Sequence, residues 1–308
     1  MKDFDVLKLT QKQLNTYFGA SVKQDDGMAL FWLEAGADVN SRFEDEPVLL
    51  YAIRNENEEL ANKFIDLGAD VNARDSSKEP ILFSVLHDVK WLNVLAKGNL
   101  DINVKKSNGE NAFSVAYKND KEDIADRLVE LGISIDGAIV FNDVLDICAP
   151  ILIACVSWYK GRWLDKVLSL NVNVDVRDED GYSALFFAVR RQNEDALDKL
   201  IEAGANVNLK DYDGSTALMC ARKLSIADKL IKYGAKIDLR DDLGYTALSR
   251  QLEAYSSWEF HRTEETEKIC ELLIKNSEGL TKYDREIALS FARKAKNKNL
   301  IRLIKEYM

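Results

Sequence analysis

The chain has 308 residues, of which 46% are hydrophobic and 31% are charged, enough apolar residues for a large core and too many for a disordered chain. Its net charge of −10 argues against general nucleic-acid binding, which needs a basic surface. No apolar run approaches the roughly 18 residues of a membrane span, and the polar first residues lack the hydrophobic segment of a secretory signal, so we expect a cytoplasmic protein without a membrane contact.

In chain order, the predicted elements recur around a five-residue motif of the type Gly-Ala-Asp-Val-Asn. Clear copies end at Asn40 and Asn72, close relatives end at Asn208 and Asp238, and weaker copies span 132–136 and 171–175. Each copy follows a segment with helical spacing of apolar residues, and the glycine of the motif predicts a left-handed end to that helix.

A second motif, of the type Ser/Thr-Ala-Leu, predicts a shorter helix before each amphipathic one. Its clearest copies begin at Ser183, Thr216 and Thr246, which we expect to cap the helix. The small residue that ends the motif precedes the glycine of the first motif by sixteen positions in four copies, at Ala20, Ala52, Ala116 and Ala188. Turns of the type Asp-x-x-Gly precede this motif at 178–181, 211–214 and 241–244. There the aspartate can bond its own backbone and the glycine supplies a positive φ.

Two motifs in fixed relation resemble the ankyrin repeat, which has a period of about 33 residues and the signature T-P-L-H-x-A. The resemblance covers nearly the whole chain and implies an all-α ankyrin-repeat solenoid of stacked helix-turn-helix units with β-hairpin-like connecting loops. The histidine of the family signature is absent from every copy. We therefore expect apolar packing to join neighbouring repeats in its place.

The register predicts a single domain over 1–308 with about nine repeats. They span approximately 10–43, 44–76, 77–107, 108–140, 147–179, 180–212, 213–242, 243–281 and 282–308, with insertions near 137–147 and 252–266. The third and seventh repeats are three residues short. The last repeat has eight Lys or Arg and three Asp or Glu, so the remainder of the chain carries a charge of −15.

The sequence offers few residues suited to catalysis or metal binding. The two histidines, His87 and His261, lie in different segments without neighbouring metal ligands, and no nucleotide-binding, metalloprotease or hydrolase motif occurs. The four cysteines are widely spaced, which fits free thiols in a reducing compartment. We therefore predict no enzyme, no catalytic residue, no metal site and no cofactor.

Ankyrin repeats usually bind a protein partner through their hairpin tips and the exposed, concave face of their first helices, and this resemblance supplies our candidate residues. The predicted contacts are Trp158, Glu179, Asp180, Tyr182, Arg190, Arg191, Tyr212, Asp213, Asp242, Leu243, Tyr245 and Trp258. Tyrosines at three tips inside an acidic rim favour a partner with a basic surface. The sequence leaves the oligomeric state open, and a monomer is favoured.

Three functions remain open at this stage. The first is an adaptor or scaffold that binds a protein partner. The second is an immunity or inhibitor protein that occludes the active site of a toxin or enzyme with a basic cleft, which the −15 charge over 1–281 favours. The third is an enzyme whose site the sequence does not reveal.

Overall fold

The structure, a computed structural model, describes residues 8–142, 147–157, 162–257 and 263–308. The chain divides into two compact units, Met1–Cys148 and Ala149–Met308. The regular structure of the described residues is mainly α-helical, with four short strands, and the predicted all-α fold class is confirmed. No helix among the described residues is both long and apolar enough to span a membrane.

The first unit consists of helix pairs joined by short turns. Its elements are α1 (Gln11–Gln24), α2 (Ala29–Glu34), β1 (Arg42–Phe43), β2 (Glu46–Pro47), α3 (Val48–Arg54), α4 (Glu58–Asp66), a 3₁₀ helix (Ile81–Val85), α5 (Val89–Leu95), α6 (Ala112–Lys118), α7 (Glu122–Glu130) and β3 (Ile139–Asn142). Strands β1 and β2 form an antiparallel hairpin, and single bridges Arg74–Pro80 and Lys105–Asn111 close the next two hairpin tips.

The second unit repeats this arrangement. It contains α8 (Ile151–Ser157), α9 (Arg162–Leu168), α10 (Ala184–Arg190), α11 (Glu194–Glu202), a 3₁₀ helix (Ala217–Cys220), α12 (Leu224–Lys232), α13 (Ala247–Ser257), α14 (Glu264–Lys275), α15 (Lys282–Lys294) and α16 (Lys298–Tyr307), after β4 (Ile147–Pro150) at the boundary. Bridges Arg177–Ser183 and Lys210–Thr216 close two of its hairpin tips.

Within the second unit the helices lie in two layers. The first helices α8, α10, the 3₁₀ helix Ala217–Cys220, α13 and α15 contact one another in that order. In the other layer α9 contacts α11, and α14 contacts both α12 and α16. Ala188 and Ala221 are completely buried where consecutive first helices meet, since a small side chain lets the backbones approach. The division of the whole chain into nine repeats of one domain stays a prediction.

The closing asparagine of the five-residue motif joins one repeat to the next. The Nδ2 of Asn72 donates to the carbonyl of Asn99 at 2.7 Å, and its Oδ1 accepts from the backbone NH of Asp101 at 2.7 Å. The same pair of bonds recurs at Asn40 and Asn208. Apolar packing alone therefore does not replace the missing histidine, because these amide side chains supply polar links between neighbours.

The two shortened repeats have 3₁₀ first helices, Ile81–Val85 and Ala217–Cys220. In the second unit, the Nε2 of Gln251 donates to the carbonyls of Met219 and Ala221 at 3.1 and 2.8 Å. Gln251 is buried, so this side chain satisfies carbonyl groups that the short helix leaves without an intrahelical donor.

The three residues predicted to cap first helices do not all form the capping hydrogen bond. The hydroxyls of Ser183 and Thr246 accept from the backbone NH groups of Phe186 and Ser249 at 3.3 and 3.4 Å. Thr216 also stands at the N-cap position, but its buried Oγ1 has no hydrogen-bond partner among the described residues. There the Thr216 backbone NH contacts the Sδ of Met219 at 3.5 Å.

Candidate protein-binding surface

Three hairpin tips of the second unit are shaped by an aspartate and a glycine, as the sequence predicts. The Oδ1 of Asp178 accepts from the backbone NH groups of Asp180 and Tyr182 at 3.1 and 2.8 Å. Asp211 and Asp241 make the corresponding bonds in the next two tips. Burial raises the pKa of Asp211, although the backbone bonds act in the opposite direction. These bonds fix the tips before any partner arrives.

The tips stack directly on one another. The backbone NH of Tyr212 donates to the backbone carbonyl of Asp180 at 3.4 Å. That of Asp242 donates to the backbone carbonyl of Asp213 at 3.0 Å. A Cβ on Gly181 would lie 2.7 Å from the Tyr212 nitrogen, so no larger residue fits there. We call the three segments 179–182, 212–215 and 242–245 the tip row.

The tip row exposes both apolar groups and free carboxylates. Tyr212 is 63% exposed and Leu243 is 71% exposed. The exposed acids of the row are Glu179, Asp180, Asp213 and Asp242, and among the described residues none of them forms an ion pair. Large exposed apolar side chains surrounded by unpaired charge are characteristic of a contact surface.

The three predicted tyrosines are not in equivalent environments. Tyr182 and Tyr245 each follow the turn glycine and fold back over the adjoining helix, where Arg190 and Arg250 lie 5.5 and 5.0 Å from the ring centres. Burial, followed by the charge of Asp211, raises the pKa of Tyr182. Tyr212 precedes its glycine and is the one of the three that is largely exposed. The two half-buried tyrosines shape the surface, and Tyr212 is the exposed anchor.

In the first unit, three glutamates of the hairpin tips form hydrogen bonds or ion pairs within the unit. Glu46 is buried and accepts from the hydroxyl of Ser76 at 2.8 Å and its backbone NH at 3.2 Å. Glu79 bonds Ser107 in the same way in the next repeat. Glu110 is buried, with Lys118 3.9 Å away. Glu46 and Glu79 thus join consecutive hairpin tips and Glu110 is buried in its own tip, whereas the acids of the tip row are exposed.

A groove of about 1020 Å³ opens beside the tip row. The 3₁₀ helix Ala217–Cys220 has four residues, while the neighbouring first helices α10 and α13 have seven and eleven. The short helix leaves the space, and the longer α13 borders it. We call this space, lined by residues of α10, α13, α14, the 3₁₀ helix and the adjoining tips, the groove.

The groove is lined by apolar, acidic and basic side chains. Its walls are Tyr182, Phe186, Arg190, Gln192, Asp211, Asp213, Ser215, Met219, Cys220, Arg222, Arg250, Gln251, Glu253, Ala254, Thr263 and Thr266. Arg250 bonds Asp241 through its Nε and Glu253 through its Nη1 at 3.1 Å. Arg190 and Arg222 have no carboxylate partner among the described residues.

Cys220 lies in the groove but is not an activated nucleophile. Burial and the charge of Asp211 raise the pKa of its thiol to about 11, although Arg190, Arg222 and Arg250 act in the opposite direction. A reactive cysteine needs a pKa at or below its ordinary value. The Cys220 thiol therefore keeps its proton at neutral pH.

The predicted contact residues are not all brought together. Tyr182, Arg190 and Asp213 line the groove, and Glu179, Asp180, Tyr212, Asp242, Leu243 and Tyr245 belong to the tip row. Arg191 is exposed but does not line the groove. Trp158 and Trp258 lie outside the described residues.

Sequence reasoning missed most of the groove. Arg222, Arg250 and Glu253 carry charges into it but fill no recurring tip or helix slot. The available signal was the shortened seventh repeat next to a lengthened eighth, since a deletion beside an insertion creates an uneven surface in a regular stack.

Of the two histidines, only His87 belongs to the described residues, and it makes a local contact. The Nδ1 of His87 lies 2.9 Å from the carbonyl of Ser84 in its own turn, and His261 lies outside the described residues. Among the side chains that the structure describes, no group of three or more His, Cys, Asp and Glu is placed to hold a metal ion.

Comparison with known proteins agrees with this geometry. A family model for ankyrin repeats matches residues 151–248 in three copies. No curated protein matches the chain. The match spans the whole tip row and most of the groove. Residues 151–248 of the second unit are therefore ankyrin repeats.

Proposed function

We propose that the chain is a non-catalytic adaptor or scaffold that binds a protein partner through the tip row and the groove of its second unit. Ankyrin repeats are general protein-interaction modules, which supports a binding role. The observation that carries the proposal is the exposed pair Tyr212 and Leu243, set among four carboxylates that form no ion pair with any described residue.

The chemistry of the row suits a basic partner surface. Tyr212 and Leu243 can bury apolar area at the centre of an interface, and aromatic anchors carry much of the binding free energy in such interfaces. The surrounding carboxylates attract positive charge and accelerate encounter. No ordering step is needed first, because backbone bonds already hold the tips.

A photo-crosslinking amino acid in place of Tyr212, used in the native cells, identifies the partner. With that partner purified, Tyr212→Ala in the full chain is expected to weaken binding by about tenfold or more, as loss of an aromatic anchor does. Tyr233→Ala is the matched control, because Tyr233 is 53% exposed in the same unit but lies at the end of α12. Equal effects of the two substitutions would contradict the proposal.

An inhibitor or immunity protein is the second candidate, favoured by the same unpaired carboxylates. Such a row could cover the basic cleft of a toxin or enzyme and compete with its substrate. The test is the partner's own catalytic activity with and without the full chain. Inhibition that Tyr212→Ala relieves supports this candidate, and an unchanged partner activity leaves the adaptor function.

The proposal places the protein in the cytoplasm. Cys220 and Cys270 are free thiols, as expected in a reducing compartment. The partner is then sought among cytoplasmic proteins, and fractionation of native cells checks the location. Recovery of the chain in an oxidising compartment would contradict this part of the proposal.

A further inference from the structure

Two guanidinium groups of the groove lack a carboxylate partner among the described residues. Arg190 and Arg222 line the groove without an ion pair, while Arg250 is occupied by Asp241 and Glu253. The N–H donors of a guanidinium form a rigid fork that matches the two oxygens of a planar anion. An unoccupied pair of such groups in a groove is therefore a receptor for negative charge.

Arg190 is held in position before binding. Its guanidinium carbon lies 5.5 Å from the ring centre of Tyr182, and that ring stacks on Phe186 with ring centres 4.6 Å apart. A side chain that is already ordered loses less conformational entropy when it binds a ligand. This cluster therefore presents Arg190 to the groove at a small entropic cost.

The two unpaired arginines share the groove with an uncharged stretch and with acids. Met219 and Cys220 line the groove and carry no formal charge. Arg190 and Arg222 act on the Cys220 thiol in the direction that lowers its pKa, and Asp211 acts in the opposite direction. Asp211 and Asp213 line the same groove, so an incoming group there meets charges of both signs.

We propose that the groove receives an aspartate or glutamate side chain from an extended segment of the protein partner, with Arg190 and Arg222 binding its carboxylate. The inference rests on the proposed function and specifies its ligand. Asp180, Asp213 and Asp242 on the tip row then contact basic residues that flank the acidic one.

The neighbouring acids decide between a carboxylate and a phosphate. A phosphorylated side chain carries a charge of about −1.5 to −2, and a carboxylate carries one negative charge. Asp211 and Asp213 line the same groove and repel the larger charge more strongly. The groove therefore fits a carboxylate better than a phosphate.

Selection of short random peptides on the immobilised full chain tests the inference. Enriched peptides are expected to share one Asp or Glu between Lys or Arg residues. A synthetic copy with Gln in place of that acid should bind about tenfold more weakly, because it loses a charge-assisted contact. A copy with phosphoserine there should also bind more weakly, and tighter binding of that copy would overturn the choice of a carboxylate.

Matched variants locate the contact. Arg190→Gln with Arg222→Gln should reproduce the loss seen with the Gln peptide, and circular dichroism checks that the variant folds. Arg293→Gln with Lys296→Gln removes the same charge from exposed positions outside the groove and the tip row, and should leave the affinity unchanged.

The outcomes separate the inference from the proposed function. The inference is overturned if the enriched peptides share no acidic residue. It is also overturned if they bind the double arginine variant as tightly as they bind the wild type. The proposed function survives that result if Tyr212→Ala still weakens the same peptides. If no peptide is enriched, or if Tyr212→Ala has no effect on those that are, both the inference and the proposed function fail.

Discussion

Asn208 shows how one side chain joins two repeats. Its Nδ2 donates to the carbonyl of Gly234 at 3.0 Å, and its Oδ1 accepts from the backbone NH of Lys236 at 2.7 Å. Asn208→Ala removes both bonds and is expected to lower the free energy of unfolding by about 1 kcal/mol, since the bonds are exposed to water. Urea denaturation measures this change. Asn276→Ala, whose amide bonds only its own helix, should have a smaller effect, and the reverse order would contradict the linking role.

Gln251 is a buried residue whose amide replaces part of a helix. Gln251→Leu keeps the approximate volume but leaves the carbonyls of Met219 and Ala221 without their donor. A buried unpaired polar group costs about 1 to 3 kcal/mol, so we expect a loss of about 2 kcal/mol or more in urea denaturation. An unchanged stability would mean that water or another donor reaches these carbonyls.

The thiol of Cys220 offers a direct test of the electrostatics of the groove. With a pKa of about 11, far less of this thiol than of an ordinary cysteine is ionised at pH 8.5. Alkylation by iodoacetamide, followed by mass spectrometry, should therefore be slow at Cys220 and should accelerate as the pH rises towards 11. The same thiol in the urea-unfolded chain is the control. Equal rates in the folded and unfolded chains would show that neither burial nor Asp211 protects it.

At the scale of elements, the turns could be predicted from sequence and the groove could not. The Asp-x-x-Gly pattern specifies a local structure, because Asp178 bonds backbone groups only two and four residues away. The groove depends instead on how a four-residue 3₁₀ helix lies against an eleven-residue helix two elements later. Tertiary placement of that kind has no short-range signal.

The tyrosines show the same limit within a single turn. Tyr182 and Tyr212 both belong to a tip, but one follows the turn glycine and the other precedes it. The direction of a side chain depends on its position in the turn, so Tyr182 packs on Phe186 while Tyr212 is exposed. Counting aromatic residues per tip did not capture this difference.

The hairpin tip that contains Glu46 should make stability dependent on pH. Burial acts to raise the pKa of Glu46, but the bonds from Ser76 and the charge of Arg54 outweigh it and lower the pKa below its ordinary value near 4.5. A lowered pKa stabilises the folded state above the ordinary value, and that stability is lost as the pH falls through the folded-state pKa.

Glu46→Gln removes this contribution. The variant is expected to have a lower urea midpoint than the wild type at pH 7, and the difference should shrink as the pH falls below about 4.5. Glu44→Gln is a control on the same hairpin, because Glu44 is exposed and pairs only with Lys23. A difference between wild type and Glu46→Gln that stays constant with pH would assign the effect to packing instead of charge.

At the scale of the whole molecule, the location of the acids matters more than their number. The chain carries 52 acidic and 42 basic residues, and many acids are neutralised locally or bonded between repeats. Those of the tip row, beside Tyr212 and Leu243, form no ion pair within the part of the chain that the structure describes. A net charge alone would predict solubility, whereas this distribution predicts a directed electrostatic attraction.

Charge removal at two places distinguishes these explanations. One triple variant carries Asp180→Asn, Asp213→Asn and Asp242→Asn. We expect it to associate with the crosslinked partner about tenfold more slowly at low salt, because opposite charges steer the encounter. Its association rate should also depend less on the salt concentration. Asp123→Asn, Glu202→Gln and Glu278→Gln remove the same charge from exposed positions outside the tip row. Stopped-flow association rates at several salt concentrations provide the measurement. If both triple variants slow association equally, the partner responds to net charge, and the tip row is not the surface that guides it.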